Sequence, residues 1–200
     1  MAVVPGVVLD ACVLIPAALC DTLLRAARRG LFRPLWSELI LAEVQRNLVR
    51  SGMVSDADKA QKRVAAMRQA FSEDRANVTG FDDIIDQMPN QAKDRHILAA
   101  AVVAGATTIV TFNLRDFKTA GTPQERIRAQ HPDEFLTALA TLYPGDMIEV
   151  IRAQAAALQK GGQTWTPERI LDNLARQNIT AFVEVARRLL ESAQAGGERT

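Results

Sequence analysis

Apolar positions in this chain form short continuous runs and longer helical stripes, and the two alternate through the first 120 residues. Val3, Val4, Val7, Val8 and Leu9 make the first run, which ends in a single acid, Asp10. A continuous apolar run of this kind ahead of a helical pattern predicts a buried parallel strand. Asp21 to Arg29 follows as a helix, with Asp21 at the N-cap and Gly30 just past the end. Phe32 to Trp36 is short and interrupted by Pro34, which argues against a central strand. Ser37 then caps a helix reaching about Val49, with Leu39, Ile40, Val44 and Leu48 on its apolar side. Glu43 lies at the margin of that stripe, at ~100° per residue.

A third helix is expected from Ser55 to Phe71, opened by a capping box of Ser55 and Asp58. Asn77 to Gly80 reads as a brief strand, and the acidic stretch from Phe81 to Met88 as one or two helical turns. Asp94 to Ala104 is a helix of small residues stopped by Gly105, with Asp94 at its positive end. Thr107 to Thr111 is β-branched throughout and reads as a strand, and Phe112 to Phe117 is the turn beyond it. Alternation of this kind predicts a doubly wound α/β fold.

The character changes near Pro144. Helices are expected over Asp146–Gln159, Arg169–Gln177 and Thr180–Ala193, with a break at Gly161-Gly162, and no strand is visible after about 125. Thr166-Pro167-Glu168 has the form of a helix start. The expected organisation is therefore a core over 1–143, a helical extension over 144–195 and a polar tail over 196–200. The compositional break implies a core able to fold without the extension.

Composition narrows the classes. Hydrophobic residues make up 48% and charged residues 24%, which supports a packed core and excludes global disorder. The formal net charge of +1 leaves a local basic patch for nucleic acid open. Cys12 and Cys20 have no metal-ligand spacing and imply no disulfide framework. No segment reaches the ~18 consecutive apolar residues of a membrane span, and no basic region precedes the first apolar run as in a signal peptide. A cytoplasmic location is expected.

Polar groups recur where strands end and helices begin: Asp10, Glu43, Asp94, and Asn113 or Asp116. In open α/β sheets the carboxyl ends of the strands face the functional crevice. All these groups are hard oxygen donors of the kind Mg²⁺ and Mn²⁺ prefer. Acids gathered in one cleft repel, and a divalent cation relieves that repulsion while activating water for phosphodiester hydrolysis. His96 and His131 read as structural.

The order Val-Val-Leu-Asp10, a helical Glu43, Asp94-Arg-His-Ile-Leu-Ala-Ala-Ala, and Ile-Val-Thr111-Phe-Asn113-Leu-Arg-Asp116-Phe resembles PIN-domain ribonucleases, VapC-type toxins in particular. His131-Pro132-Asp133-Glu134-Phe135-Leu136 and the helices after it resemble the subgroup with a C-terminal helical extension. The resemblance implies a parallel sheet sandwiched by helices. It further implies Mg²⁺ or Mn²⁺ held by Asp10, Glu43 and Asp94, with Asn113 in the fourth position and Asp116 nearby. The implied activity is metal-dependent endonucleolytic cleavage of RNA by the toxin of a type II toxin–antitoxin pair. The implied partners are an RNA substrate and a cognate antitoxin, with a homodimer left open and no membrane.

The chain departs from the family pattern at three places. Cys12 stands where Asn, Ser or Thr is common, Lys93 where an extra acid is common, and Asn113 where Asp is common. These departures keep an alternative in view: a catalytically weak PIN scaffold that binds RNA or a protein. A receiver-like or phosphatase-like domain fits less well, because the Asp10-Ala-Cys turn lacks a second Asp.

Overall fold

The structure is a computed structural model that describes residues 4–119, 122–158 and 165–197. Its strands are β1 (Gly6–Leu9), β2 (Arg33–Leu35), β3 (Thr108–Val110) and β4 (Arg128–Gln130). Its helices are α1 (Ala11–Leu14), α2 (Ala17–Arg28), α3 (Glu38–Arg50), α4 (Ala57–Ala70), α5 (Glu73–Ala76), α6 (Arg95–Val103), α7 (Pro132–Leu142), α8 (Pro144–Ala157), α9 (Pro167–Ala175) and α10 (Thr180–Gly197). The expected α/β architecture is present: a parallel sheet with helices around it and a helical C-terminal part.

Two compact units divide the chain. The first comprises Met1–Ile15 and Phe32–His131, the second Pro16–Leu31 and Pro132–Thr200.

In the first unit the sheet order is β2-β1-β3-β4, and every pairing is parallel. β1 sits inside the sheet because Val7, Val8 and Leu9 are apolar on both faces, and all three are buried. Pro34 is tolerated because β2 lies at the edge, where one side of the strand needs no ladder donor. α6 packs on β1 and β3, and Ile97 through Ala101 are fully buried. Its small side chains permit that close approach. Gly105, at φ +62°, supplies the left-handed turn that ends the helix.

The chain differs from its sequence reading in several places. β4 is a strand beyond residue 125, where none was expected. It has only three residues and an exposed Arg128, so it carries no apolar pattern; hydrogen bonds to β3 define it. The expected strand at Asn77 to Gly80 is reduced to one bridge between Trp36 and Asn77. Asp82 to Gln87 forms 3-10 turns. α4 is capped by Asp56 rather than Ser55: the Asp56 carboxylate accepts the Lys59 N–H at 2.9 Å, while Ser55 donates to Asp56. Ser37, Thr166 and Pro167 play the capping roles expected of them.

The second unit is all helical. α2 begins at Ala17, earlier than expected, because Pro16 sets the entry dihedral and Leu19 and Cys20 are core residues. Asp21 is thereby inside the helix, where it pairs with Arg25 at 2.8 Å. Leu23, Leu136, Ile151, Leu171 and Phe182 are fully buried, one from each helix of the unit. A polar tie lies among them: Thr22 Oγ1 donates to Gln154 Oε1 at 2.7 Å, and Gln154 Nε2 donates to the Ala18 carbonyl at 3.0 Å. Asp133, at the start of α7, accepts the Ala181 and Phe182 N–H groups at 3.0 and 2.8 Å, satisfying two otherwise orphan donors of α10. The expected break at Gly161-Gly162 lies outside the described residues. α10 runs to Gly197, and the rest of the expected tail, 198–200, lies outside them too.

The units thus meet the sequence at a different place from the expected boundary at 143. α7 packs on α8 and α10, and α2 packs on α8 and α9, so both belong with the C-terminal helices. A chain ending at residue 143 strips α2 and α7 of those partners and exposes their apolar faces. It is expected to aggregate or to lose its cooperative melt, and circular dichroism with thermal unfolding tests this. Asp133→Ala in the full chain removes the α10 cap and is expected to cost about 0.5–2 kcal/mol in urea unfolding.

Candidate active site

β1 and β3 are neighbours, and their ladder continues one step beyond the strands: the Asp10 N–H donates to the Val110 carbonyl at 3.1 Å. This brings Asp10 and Thr111 together at the carboxyl edge of the sheet. Asp10 is only 4% exposed. Its Oδ2 accepts from Thr111 Oγ1 at 2.6 Å and from Cys12 Sγ at 3.1 Å. Thr111 Oγ1 in turn accepts the Asn113 N–H at 2.9 Å, and Cys12 Sγ accepts the Phe112 N–H at 3.3 Å. A closed network therefore fixes the Asp10 carboxylate and the chain that turns out of β3. Within it the Cys12 thiol bridges backbone and carboxylate, as a small polar side chain would. Burial and the adjacent Asp10 charge push that thiol well above the ordinary range, so it stays protonated and donates.

α3 presents one face to the same place. Leu39, Glu43, Arg46, Asn47 and Arg50 recur at helical spacing, and all line a cavity of about 430 Å³. Asp10, Cys12, Lys93, Asp94, His96 and Asn113 complete its wall. Four sequence-predicted residues, Asp10, Glu43, Asp94 and Asn113, are thus brought to one cavity from four separate segments. Asp116 is not among its lining residues. Its carboxylate instead takes the Lys93 ammonium at 2.8 Å, and that hydrogen bond holds the carboxyl below its ordinary range.

The electrostatics follow from the crowding of acids. Glu43 is half-buried, and its carboxyl is raised by burial first, then by the charges of Asp10 and Asp94. Asp94, 7% exposed, is raised by burial, against the opposing effect of the Lys93 ammonium 3.1 Å away. His96 Nε2 lies 3.9 Å from Glu43 Oε2, and burial lowers its imidazole, which favours the neutral ring. Asn47 Nδ2 is 3.4 Å from Glu43 Oε1.

The donors fit a hard divalent cation by type and by charge. They are three carboxylates and an amide, and two of the carboxyls are raised, by burial first. Among the described residues no three His, Cys, Asp or Glu side chains are gathered tightly enough to share an ion. The arrangement suits an ion carried by one or two carboxylates and completed by water, the mode Mg²⁺ favours.

Sequence reasoning missed Thr111, Arg46, Asn47 and Arg50, and it read His96 as purely structural. The α3 residues carried a signal: they repeat Glu43's face at i+3, i+4 and i+7. Thr111 carried none, since it reads as an ordinary β-branched strand residue.

Residues 6–115 match the family described as PIN domain, and residues 132–188 match the VapC50 C-terminal domain. A Mycobacterium tuberculosis (strain ATCC 25618 / H37Rv) protein named "Putative ribonuclease VapC50" is 39% identical over 118 residues, which is 59% of this chain and 68% of that protein. No solved structure matches the chain.

The raised carboxyls carry a pH signature. An acid raised in the folded state binds its proton more tightly there than in the unfolded chain. Stability therefore falls as pH rises from the ordinary carboxylate range through the raised value. Glu43→Gln removes this penalty. It is expected to raise Tm by a few degrees at pH 7 in EDTA and to do so less at pH 4, as thermal melts at the two pH values will show. An equal shift at both would contradict the assignment.

Proposed function

The chain belongs to the PIN-domain family, and from that membership we propose that it is a metal-dependent endoribonuclease, the toxin of a type II toxin–antitoxin pair. The observation that carries this reading is the convergence of Asp10, Glu43, Asp94 and Asn113 on one cavity at the carboxyl edge of a parallel sheet. Similarity over 118 residues to a protein named as a ribonuclease supports it, as does the match of residues 132–188 to the VapC50 C-terminal domain.

In this proposal one or two of Asp10, Glu43 and Asp94 would bind Mg²⁺ or Mn²⁺ directly and the rest of that set would act through its waters, with Asn113 in the fourth position. A bound ion supplies an activated water and offsets the charge that builds on the phosphate during hydrolysis. The remaining work falls to the chain itself. Thr111 and Cys12 keep the Asp10 carboxylate in one orientation by donating to a single oxygen, Oδ2. Neutral His96 packs beside Glu43 without consuming its charge. Arg46 and Arg50, one and two turns along α3 from Glu43, continue the cavity wall with positive charge suited to neighbouring phosphates of an RNA strand. No serine, cysteine or histidine nucleophile is required: the Cys12 thiol is held protonated.

The proposed partners are an RNA and a cognate antitoxin protein, with a cytoplasmic setting and a homodimer left to measurement. No helix among the described residues is long and apolar enough to cross a membrane.

Purified protein is expected to cleave RNA with Mg²⁺ or Mn²⁺ and to lose that cleavage in excess EDTA. Asp10→Ala and Asp94→Ala should reduce it to background while the circular dichroism spectrum stays native. Full cleavage in EDTA would sink the mechanism. RNA binding without cleavage under any metal condition would favour the binding-module alternative. Asn113→Ala should impair cleavage more than Asp116→Asn does, because Asn113 lines the cavity whereas Asp116 is engaged by Lys93.

A further inference from the structure

Lys93 is unusual in this setting. It lies in the 3-10 turn Ala92–Asp94 that leads into α6, and its side chain is 61% exposed. Its ammonium nevertheless touches two acids at once, Asp94 Oδ2 at 3.1 Å and Asp116 Oδ2 at 2.8 Å. Asp116 is 23 positions away on the turn beyond β3, so the bridge ties a segment that lines the cavity to an acid outside its lining. An ammonium is a compact point charge with three donors and no demand for a planar partner. It can sit between two carboxylates much as a small metal ion does.

The charge balance gives this consequence. Asp10, Glu43, Asp94 and Asp116 would together bring four negative charges to one edge of the sheet. Two divalent cations could be balanced by four such charges. Lys93 already neutralises one of them and engages one oxygen of each of Asp94 and Asp116. Asp10 and Glu43 lie outside this bridge.

We propose that Lys93 is a resident counter-ion that stands in for a second divalent cation, so that the site of this chain takes a single ion. The inference rests on the metal reading above and deepens it. Lys93 is a positioning residue here: it acts through Asp94 and Asp116 and need not touch the substrate. Because the side chain is mostly exposed, replacing it leaves the core packing intact.

The experiment is a Mn²⁺ titration of the full chain without RNA, by calorimetry and by electron paramagnetic resonance, on wild type, Lys93→Met, Lys93→Arg and Asp10→Ala. Wild type and Lys93→Arg are expected to take one ion, and Lys93→Met two. A stoichiometry of one in Lys93→Met, whatever its affinity, overturns the proposal. Melting supplies an independent readout. In EDTA, Lys93→Met should melt below wild type, because Asp94 and Asp116 then face each other unshielded. Saturating Mn²⁺ should abolish that deficit. A deficit that persists in Mn²⁺ would show that Lys93 is only a tether for the turn, and would also overturn the proposal. Binding by wild type that is unchanged in Asp10→Ala would overturn the metal reading itself, and this inference with it.

Discussion

The burial of several carboxylates side by side is the constraint around which the first unit is arranged. Asp10, Glu43 and Asp94 face one cavity, and the raised carboxyls of Glu43 and Asp94 express the cost of burial first and of mutual repulsion after it. An arrangement of this kind persists only if the surrounding structure over-determines it. Here the frame consists of the buried β1, the small-residue α6 packed on β1 and β3, and the one-step extension of the β1–β3 ladder to Asp10. Each acid is anchored to a different rigid element, so no single torsion can relax the cluster.

The polar surroundings of Asp10 show how a departure in sequence can be absorbed by structure. Cys12 is a weak hydrogen-bonding residue in general. In this fold its sulfur lies between the Phe112 N–H and the Asp10 carboxylate, and Thr111 makes the shorter bond to the same oxygen. Orientation of the acid is therefore shared, and the stronger share falls to Thr111. Lys93 answers a different problem. A positive charge beside Asp94 lowers the electrostatic cost of burying that carboxylate, and it ties the start of α6 to the turn beyond β3.

The second unit follows separate rules. Its helices bury apolar stripes against one another, and polar ties join them: Thr22 with Gln154, Asp133 with the first turn of α10. That α2, early in the chain, belongs to this unit is a long-range property. The apolar face of α2 says that it must be covered, and nothing in it says by what.

The sequence by itself determined the elements with strong local signals. These are the apolar run of β1, the Ser37 cap of α3, the small-residue α6 with its Gly105 stop, and the Thr166-Pro167 start of α9. Each is set by side-chain periodicity or backbone preference within a few residues. The acids at strand ends and helix starts were legible for the same reason. Tertiary structure alone decided the rest. β4 exists because β3 offers it hydrogen bonds, and its three residues carry no pattern of their own. Thr111 meets Asp10 because two strands 101 positions apart are neighbours. Lys93 bridges Asp94 and Asp116 because α6 and the turn after β3 start from the same edge of the sheet. Contacts of this kind depend on chain crossing, and local sequence holds no record of it.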